Sequence, residues 1–197
     1  VAKYMKSREI SVSWLGSREG YEVEFLKGKE IETRFIDISG LRGKGYLQIL
    51  KAPFLLTRAV YQALKIIREF KPNVVLGMGG YVSGPGAVAA FLSRVPVVIH
   101  EQNAVMGSAN KILSRISKIN FLGMRIKNIK NSVHSGNPIR TEFFQSSDLD
   151  NEYVNIYITG GSQGADYINE NLPKALSKLT NINVKHQCGK NNISKVR

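Results

Sequence analysis

The glycine-rich stretch at residues 73–86, NVVLGMGGYVSGPG, most narrowly limits what this chain can fold into. An apolar run ends at Gly77, five glycines fall between residues 77 and 86, and an apolar segment at 87–92 follows at once. This order predicts a strand, a loop and a helix, an arrangement in which α/β domains present backbone N–H groups to an anion. Glycine suits such a loop because it tolerates positive φ and lets a ligand approach the backbone closely. The alternative is a surface turn without a ligand.

Composition excludes several classes of protein. Cys188 is the only cysteine in 197 residues, which excludes an internal disulfide framework. The most apolar stretch, residues 86–99, is interrupted by Arg94 and Pro96 and is too short to cross a bilayer. The net charge of +13 favours an anionic partner: nucleic acid, a lipid surface or a phosphorylated small molecule. Nucleic acid is disfavoured because the cations cluster on one helix and on loops without interleaved aromatic residues.

The remaining pattern alternates helices and strands and predicts an α/β fold. Helices are predicted at residues 1–8, 21–26, 46–70, 87–92, 108–117 and 165–179. Strands are predicted at residues 10–14, 31–38, 74–76, 97–99, 153–158 and 182–186. We expect a first domain at 1–142, a polar linker at 143–152 and the start of a second domain at 153–197. Because the chain opens on a helix and stops after one βαβ unit, we also expect further chain beyond both ends.

The predicted helix at 46–70 carries a line of cations. Lys44, Lys51, Arg58 and Lys65 lie seven residues apart and therefore share a face, which Phe54 and other apolar residues flank. One interpretation is the solvated face of a core helix. The other is a basic amphipathic helix on an anionic membrane, where each cation contributes about 1 kcal/mol.

A polar cluster, HEQN at 100–103, follows the strand predicted at 97–99. Open α/β sheets bind ligands at the carboxyl ends of their strands, so this cluster is a candidate site. The alternative is that Asn103 or Ser108 caps the next helix. The acid pair Asp148 and Asp150 lies in the predicted linker, where solvated chain is a better interpretation than a metal site.

The glycine loops do not match the common nucleotide fingerprints. Neither loop reads G-x-G-x-x-G, and the chain has no G-x-x-x-x-G-K-[ST] sequence. A dinucleotide oxidoreductase and a nucleoside triphosphatase are therefore disfavoured. The three histidines are too scattered to indicate a metal site.

Five segments occur in one order along the chain: SGLRGKG at 39–45, GMGGYVSGPG at 77–86, HEQN at 100–103, GNPIR at 136–140 and GGSQG at 160–164. Together they resemble the MurG family of bacterial cell-wall glycosyltransferases, through nearly the whole chain. The resemblance implies an α/β, GT-B-like fold with two Rossmann-like domains. Of these, the chain would hold the first nearly complete and only the opening βαβ unit of the second.

The resemblance also implies an activity and partners. The reaction would be inverting transfer of N-acetylglucosamine from UDP-GlcNAc to the C4 hydroxyl of the MurNAc of undecaprenyl-linked lipid I, giving lipid II for peptidoglycan. The enzyme would attach peripherally to anionic lipids on the cytoplasmic face of the bacterial inner membrane. It would use no tightly bound cofactor or metal and would bind no nucleic acid.

Residue roles follow from the same resemblance. Asn103, Arg140 and Ser162 match positions that contact the UDP-GlcNAc donor. His100 and Glu101 are candidates for proton handling by residue type, with Glu101 better suited to structural support. The loops expected to bind phosphate and the acceptor contain Gly79, Gly80, Tyr81, Ser83, Gly160, Gly161, Gln163 and Gly164. The membrane contacts are represented by Lys51, Phe54, Arg58 and Lys65.

The chain also departs from the family pattern. The family's histidine-bearing first glycine loop and the segments that recognise uracil and the GlcNAc hydroxyls are not in this sequence. We therefore expect this chain alone to be inactive. Two alternatives stay open: another GT-B transferase of nucleotide sugars, or a binding remnant without catalysis.

Overall fold

The chain forms two compact units, Val1–Ile139 and Arg140–Arg197. This computed structural model describes residues 1–18, 20, 22–39, 46–144, 153–161, 164–189 and 192–196. Both units combine helices with parallel strands, so the α/β class expected from the sequence is confirmed. Most of the expected linker, including Asp148 and Asp150, lies outside the described residues, as does the basic glycine loop after Ser39.

The first unit contains two parallel sheets. Its elements are α1 (Ala2–Ser7), β1 (Ser13–Ser17), α2 (Glu22–Leu26), β2 (Glu32–Ile36), α3 (Tyr46–Phe70), β3 (Val75–Gly77), α4 (Ser83–Leu92), β4 (Val97–Glu101), α5 (Ser108–Leu113), β5 (Ile119–Leu122) and β6 (Ser132–His134). β1 pairs with β2, and β3, β4, β5 and β6 pair in that order. Every pairing is parallel, so the strands of each sheet end at the same edge.

Small side chains form the centre of the first unit's core. Ala59 and Ala63 on α3 are fully buried, as is Ala90 on α4. Alanine lets two helix backbones approach closely, and α3 packs against α4 along this alanine surface. Ile99 of β4 and Ile36 of β2 are buried in the same cluster, so both sheets contribute to one core.

The second unit is one βαβ arrangement. A short 3-10 turn at Thr141–Phe144 precedes β7 (Val154–Thr159), α6 (Asp166–Leu176), β8 (Ile182–Gln187) and α7 (Ile193–Val196). β7 and β8 are parallel, with Val154 opposite Ile182 and Thr159 opposite Gln187. The expected strand–loop–helix–strand order is confirmed, although α6 ends before residue 179.

One strand prediction needs correction, and two strands were missed. The strand predicted at 10–14 begins only at Ser13, because residues before it complete α1. Glu9 has a φ of 61°, and the Ile10 N–H donates to the Met5 carbonyl at 3.1 Å, as in a helix C-terminus that ends in a left-handed residue. The strands β5 and β6 were not predicted at all.

Two helix predictions also need correction. α4 begins at Ser83 rather than at residue 87, because Pro85 in the first turn needs no N–H partner. Gly86 lies within α4, and a Cβ on it would come 2.8 Å from Leu15 Cδ2, so glycine here permits close packing of α4 on β1. The helix predicted at 108–117 ends at Leu113. The long helix at 46–70 is confirmed at both ends.

Candidate functional site

The central glycine loop connects β3 to α4 at the carboxyl edge of the sheet. Gly79 and Gly80 have φ values of 88° and 79°, which residues other than glycine rarely adopt. Gly84 and Gly86 instead belong to α4. The Ser83 hydroxyl donates to the Gly79 carbonyl at 2.5 Å, which ties the start of the helix to the loop. Positive φ is therefore needed at two of the five glycines.

Glu101 ends β4 and is the centre of a buried polar network. Its side chain accepts hydrogen bonds from the Asn103 backbone and side-chain nitrogens at 3.0 and 2.9 Å. The Gly107 N–H and Asn110 Nδ2 each donate to its other oxygen at 2.9 Å. Glu101 is only 1% exposed. Because one carboxylate fixes both ends of the 103–107 loop, it sets the position of Asn103.

Ionisation of Glu101 is favoured by this network. Burial raises the pKa of Glu101, but the hydrogen bonds from Asn103, Gly107 and Asn110 together outweigh burial and hold the pKa below its ordinary value. A carboxylate with a lowered pKa and four donors is a weak proton acceptor. The geometry therefore favours structural support, the role that the sequence suggested as better suited to it.

His100 is held at both ring nitrogens. Its Nε2 lies 3.0 Å from the Gly136 carbonyl oxygen, and its Nδ1 lies 3.1 Å from Gln102 Nε2. The carbonyl can only accept, so Nε2 carries the proton and Nδ1 accepts from Gln102. A neutral His100 in this arrangement has no lone pair available for an acceptor hydroxyl.

Gln102 connects three loops of the first unit. Its side-chain Nε2 donates to the Met78 carbonyl of the central loop at 3.2 Å. Its backbone carbonyl accepts from Asn137 Nδ2 at 3.1 Å. A Cβ on Gly123 would overlap the Asn137 side chain, so glycine there is required for this approach. The segments GMGGYVSGPG, HEQN and GNPIR, separate in sequence, thus meet in this unit up to residue 139.

Tyr81 extends the site toward β1. Its hydroxyl lies 3.2 Å from Ser17 Oγ, and Ser17 is fully buried while Tyr81 remains 40% exposed. The central loop therefore lies beside the carboxyl end of β1 as well as that of β4.

The second unit has its own glycine loop after β7. Gly161 and Gly164 have φ values of 85° and 76°. A Cβ on Gly164 would overlap the Cys188 carbonyl, so the loop lies against the chain that follows β8. Ser162 and Gln163 lie outside the described residues, and their predicted roles stay predictions. Gly160 also packs tightly, since a Cβ there would come 2.6 Å from the Ala165 nitrogen.

Arg140 begins the second unit. Its guanidinium carbon lies 5.6 Å from the centre of the Phe143 ring, which is exposed. Arg140 is itself exposed, so its donors are accessible to an anion. Its predicted contact with the donor stays a prediction.

The four predicted membrane contacts lie on α3 and differ in their surroundings. Phe54 is 74% exposed, and Lys65 Nζ lies 4.9 Å from the centre of the Tyr61 ring. Arg58 forms an ion pair with Asp37 at 2.8 Å. The side chain of Lys51 lies outside the described residues. Within the part of the chain that is described, no helix has both the length and the apolarity needed to span a bilayer.

Asn110 is a site residue that the sequence did not reveal, and Asn137 lies in the GNPIR segment but was given no role of its own. Asn110 is 1% exposed on α5, where Leu113 shares its buried face. A polar residue on an apolar helix face was the available signal. Nothing in the local sequence indicated that Asn137 contacts Gln102.

Two family models match the chain. The glycosyltransferase family 28 N-terminal domain matches residues 1–121, and the glycosyltransferase family 28 C-terminal domain matches residues 155–197.

Similar proteins agree with these matches. A Histophilus somni protein is 43% identical over 203 residues, which cover 100% of this chain and 57% of that relative. It is named UDP-N-acetylglucosamine--N-acetylmuramyl-(pentapeptide) pyrophosphoryl-undecaprenol N-acetylglucosamine transferase. The chain thus spans little more than half the length of this relative.

Solved structures support the fold. The crystal structure of Acinetobacter baumannii MurG has a TM-score of 0.74 and 36% identity, and the match covers 99% of this chain and 55% of that one. UDP-GlcNAc 2-epimerase from Neisseria meningitidis has a TM-score of 0.58 at 16% identity, covering 100% and 63%, and shows likeness of fold alone. The GT-B-like fold expected from the sequence is confirmed. The chain belongs to glycosyltransferase family 28, with matches to both the N-terminal and the C-terminal domain models.

Proposed function

We propose that this chain carries the acceptor-side domain and the opening of the donor-side domain of an inverting N-acetylglucosaminyltransferase. The enzyme moves GlcNAc from UDP-GlcNAc to the C4 hydroxyl of the MurNAc of lipid I. The observation that supports this most is the pair of Gln102 hydrogen bonds that joins the HEQN segment to the central glycine loop and to the GNPIR segment. The printed name of the 43% identical relative specifies the same two substrates.

Inversion at the anomeric carbon needs one displacement. The acceptor hydroxyl loses its proton to a base and attacks, while UDP departs with a growing negative charge. Fixed N–H groups aimed at such charge supply a large part of transition-state stabilisation in enzymes. In this proposal the loop at Gly79 and Gly80 receives the acceptor, and the loop at Gly160, Gly161 and Gly164 receives donor phosphate.

We propose a positioning role for His100 and Glu101 in this mechanism, which their contacts support. Gln102 and the Gly136 carbonyl use both nitrogens of His100, and four donors surround Glu101. Glu101 holds Asn103, which we propose contacts the donor. Arg140 suits a donor phosphate, since a guanidinium can form two parallel hydrogen bonds to it. The reaction is proposed to need no tightly bound metal or cofactor.

Attachment to the membrane is proposed through α3. Phe54, Leu56 and Tyr61 are 74%, 42% and 57% exposed on this helix, which also bears Arg58 and Lys65. Exposed apolar residues beside cations are typical of helices that lie on anionic lipid surfaces. We propose peripheral attachment to anionic lipids of the inner leaflet, at the cytoplasmic face of the bacterial inner membrane.

The transfer assay tests this function. Labelled UDP-GlcNAc and a short-chain lipid I analogue are incubated with this chain and with a form extended to the length of its family relatives. We expect transfer by the extended form only. In that form, Arg140→Ala should raise the KM for UDP-GlcNAc by about tenfold or more, because one charge-assisted hydrogen bond contributes about 1.5–3 kcal/mol. An extended form that binds UDP-GlcNAc but leaves lipid I unchanged would contradict the acceptor assignment.

A further inference from the structure

Two arginines share one carboxylate at the carboxyl ends of β1 and β2. Arg18 directly follows β1, and its Nε donates to Asp37 Oδ1 at 3.0 Å. Arg58 reaches the same residue from α3, and its Nη2 donates to Asp37 Oδ2 at 2.8 Å. Among the described residues of this cluster, one negative charge faces two positive charges, which leaves one cation in surplus.

Gln62 holds Asp37 in place independently of the arginines. The Asp37 N–H donates to Gln62 Oε1, and Gln62 Nε2 donates to Asp37 Oδ2, both at 2.7 Å. The Gln62 hydrogen bond lowers the pKa of Asp37 most; partial burial acts in the opposite direction, and Arg58 and Arg18 lower the pKa further. Asp37 is therefore a fixed anion that orients both guanidinium groups.

Both arginines keep most of their donors accessible. The side chains of Arg18 and Arg58 are 70% and 56% exposed. A guanidinium has five N–H donors in a planar fork, and the hydrogen bond to Asp37 engages one of them in each arginine. The unused donors match the geometry of phosphate oxygens, to which arginine binds through two parallel bonds.

Arg34, which lies on β2, shows the opposite charge balance. The guanidinium of Arg34 contacts Glu32 and Glu69, each at 2.8 Å. Two carboxylates around one cation leave no positive surplus. On β2, the surplus cation thus lies at the carboxyl end, which is where α/β sheets bind ligands, and not at Arg34.

The residue before Arg18 contacts the central glycine loop. Ser17 Oγ lies 3.2 Å from the Tyr81 hydroxyl. The chain segment that carries Arg18 therefore adjoins the loop at which a ligand would lie.

We propose that Arg18 and Arg58, oriented by Asp37, bind the phosphate groups of a lipid ligand. This rests on the proposed function, under which the ligand is the pyrophosphate of the polyprenyl-linked acceptor. An anionic phospholipid headgroup offers the same chemistry from the membrane, so the test has to separate the two sources.

The first experiment measures binding to this chain. Farnesyl pyrophosphate in neutral detergent micelles serves as the acceptor probe, and phosphatidylglycerol vesicles serve as the headgroup probe. We expect Arg18→Ala with Arg58→Ala to weaken farnesyl pyrophosphate binding by about tenfold or more, because charge-assisted hydrogen bonds are lost. Arg115→Ala removes the same charge from an exposed arginine after α5, and its affinity should change by less than about twofold.

A charge-conserving variant separates specific recognition from general attraction. Arg18→Lys with Arg58→Lys keeps the net charge but loses the planar fork. We expect its affinity for farnesyl pyrophosphate to fall by about threefold or more, because lysine binds phosphate as a point charge. This variant also provides the test if the double alanine variant does not fold, which circular dichroism would show.

Two binding results would overturn the proposal. The first is a folded double lysine variant that binds farnesyl pyrophosphate within about twofold of the parent chain. A change this small is less than the free energy of one net hydrogen bond, so it would show that the arginines do not recognise phosphate. Loss of vesicle binding with unchanged micelle binding would assign the arginines to membrane headgroups instead.

Kinetics of the extended form distinguish this proposal from the proposed function. We expect the double lysine variant to raise the KM for the lipid I analogue and to leave the KM for UDP-GlcNAc unchanged. If the parent form transfers GlcNAc and both KM values stay unchanged in the variant, this inference fails alone. If the parent form transfers no GlcNAc while the binding differences persist, the proposed function fails and the phosphate site stands.

Discussion

At the scale of single residues, the site depends on a buried carboxylate whose two oxygens both accept hydrogen bonds. Glu101 is 1% exposed, and its carboxylate accepts from two amide side chains and two backbone N–H groups. A buried charge is tolerated only when hydrogen bonds replace its lost hydration. Glu101 therefore stabilises the loop that carries Asn103 without needing a catalytic role.

Glu101→Ala should be strongly destabilising. The substitution leaves the N–H groups of Asn103 and Gly107 without their buried acceptor, and each unpaired group costs about 1–3 kcal/mol. We expect the free energy of unfolding of this chain to fall by about 2–5 kcal/mol, measured by urea denaturation. Glu9→Ala, at an exposed position after α1, is the control and should change it by less than about 0.5 kcal/mol. A similarly small effect of Glu101→Ala would contradict the buried network.

Glu101 should also make the free energy of unfolding depend on pH. Its pKa is lower in the folded chain than its ordinary value of 4.5, so its contribution is present above pH 4.5 and is lost as the pH falls through the folded value. We expect urea midpoints of the parent chain to fall more steeply below pH 4.5 than those of Glu101→Gln, which cannot titrate at this position. Parallel pH profiles for the two proteins would show that Glu101 does not contribute in this way.

The sequence revealed those site residues that are consecutive, and it missed the contacts between distant segments. Gly79, Gly80 and the HEQN segment stand out because glycine spacing and a polar cluster after a strand are local signals. The contact between Asn137 and Gln102 joins residues 35 positions apart and exists only in the folded chain. No propensity or spacing rule in a single sequence reports such a contact.

At the scale of elements, α3 has two faces with different roles. Ala59 and Ala63 are fully buried toward α4, whereas Phe54 and Tyr61 are 74% and 57% exposed. The sequence predicted the length of this helix correctly from its apolar pattern. The sequence did not decide whether the cationic face of this helix is solvated or contacts a membrane. A residue pattern shows that a helix is amphipathic, but it does not show what contacts the exposed face.

The two faces of α3 should respond differently to substitution. Ala63→Leu adds bulk where α3 meets α4, and overpacking a well-filled core costs about 1–3 kcal/mol. Phe54→Ser changes an exposed position, so the free energy of unfolding should change by less than about 0.5 kcal/mol. Binding to phosphatidylglycerol vesicles should instead fall on Phe54→Ser, because apolar area no longer enters the interface. Equal vesicle binding by the Phe54→Ser chain and the parent would contradict membrane attachment through this face.

The start of α4 shows why turn signals misplace helix boundaries. Ser83, Gly84, Pro85 and Gly86 resemble loop residues by type, yet they form the first turn of the helix. Proline fits a first turn because the N–H that it lacks would have no intrahelical partner there. Glycine fits where a neighbouring side chain comes close to the helix backbone. The close neighbour is Leu15 of β1, which no local pattern could have indicated.

At the scale of the whole molecule, the chain comprises two compact units, each with its own glycine loop. Parallel strands place both loops at the carboxyl edge of their own sheet. This repetition was predictable, since each strand–glycine loop–helix order is visible in the sequence. The match to the family 28 N-terminal domain, at residues 1–121, lies within the first unit, and the match to the C-terminal domain, at residues 155–197, lies within the second.

A substitution in the second unit should leave the first unit intact. Gly164→Ala combines a φ of 76° with overlap between the new Cβ and the Cys188 carbonyl. Gly161→Ala has a similar φ of 85° but meets open space. We expect hydrogen exchange of β7 and β8 amides to accelerate much more for Gly164→Ala, and β4 amides to keep their protection. Faster exchange throughout β4 would show that the units unfold as one.

We propose that this family 28 chain belongs to an enzyme that joins GlcNAc to a lipid-linked acceptor with inversion. The most direct test is NMR of the products formed by the extended form from 13C-labelled UDP-GlcNAc and a lipid I analogue. We expect a single new β-anomeric signal, from GlcNAc linked to the C4 oxygen of MurNAc. Free GlcNAc, an epimerised UDP-sugar or an α-linked product would contradict it.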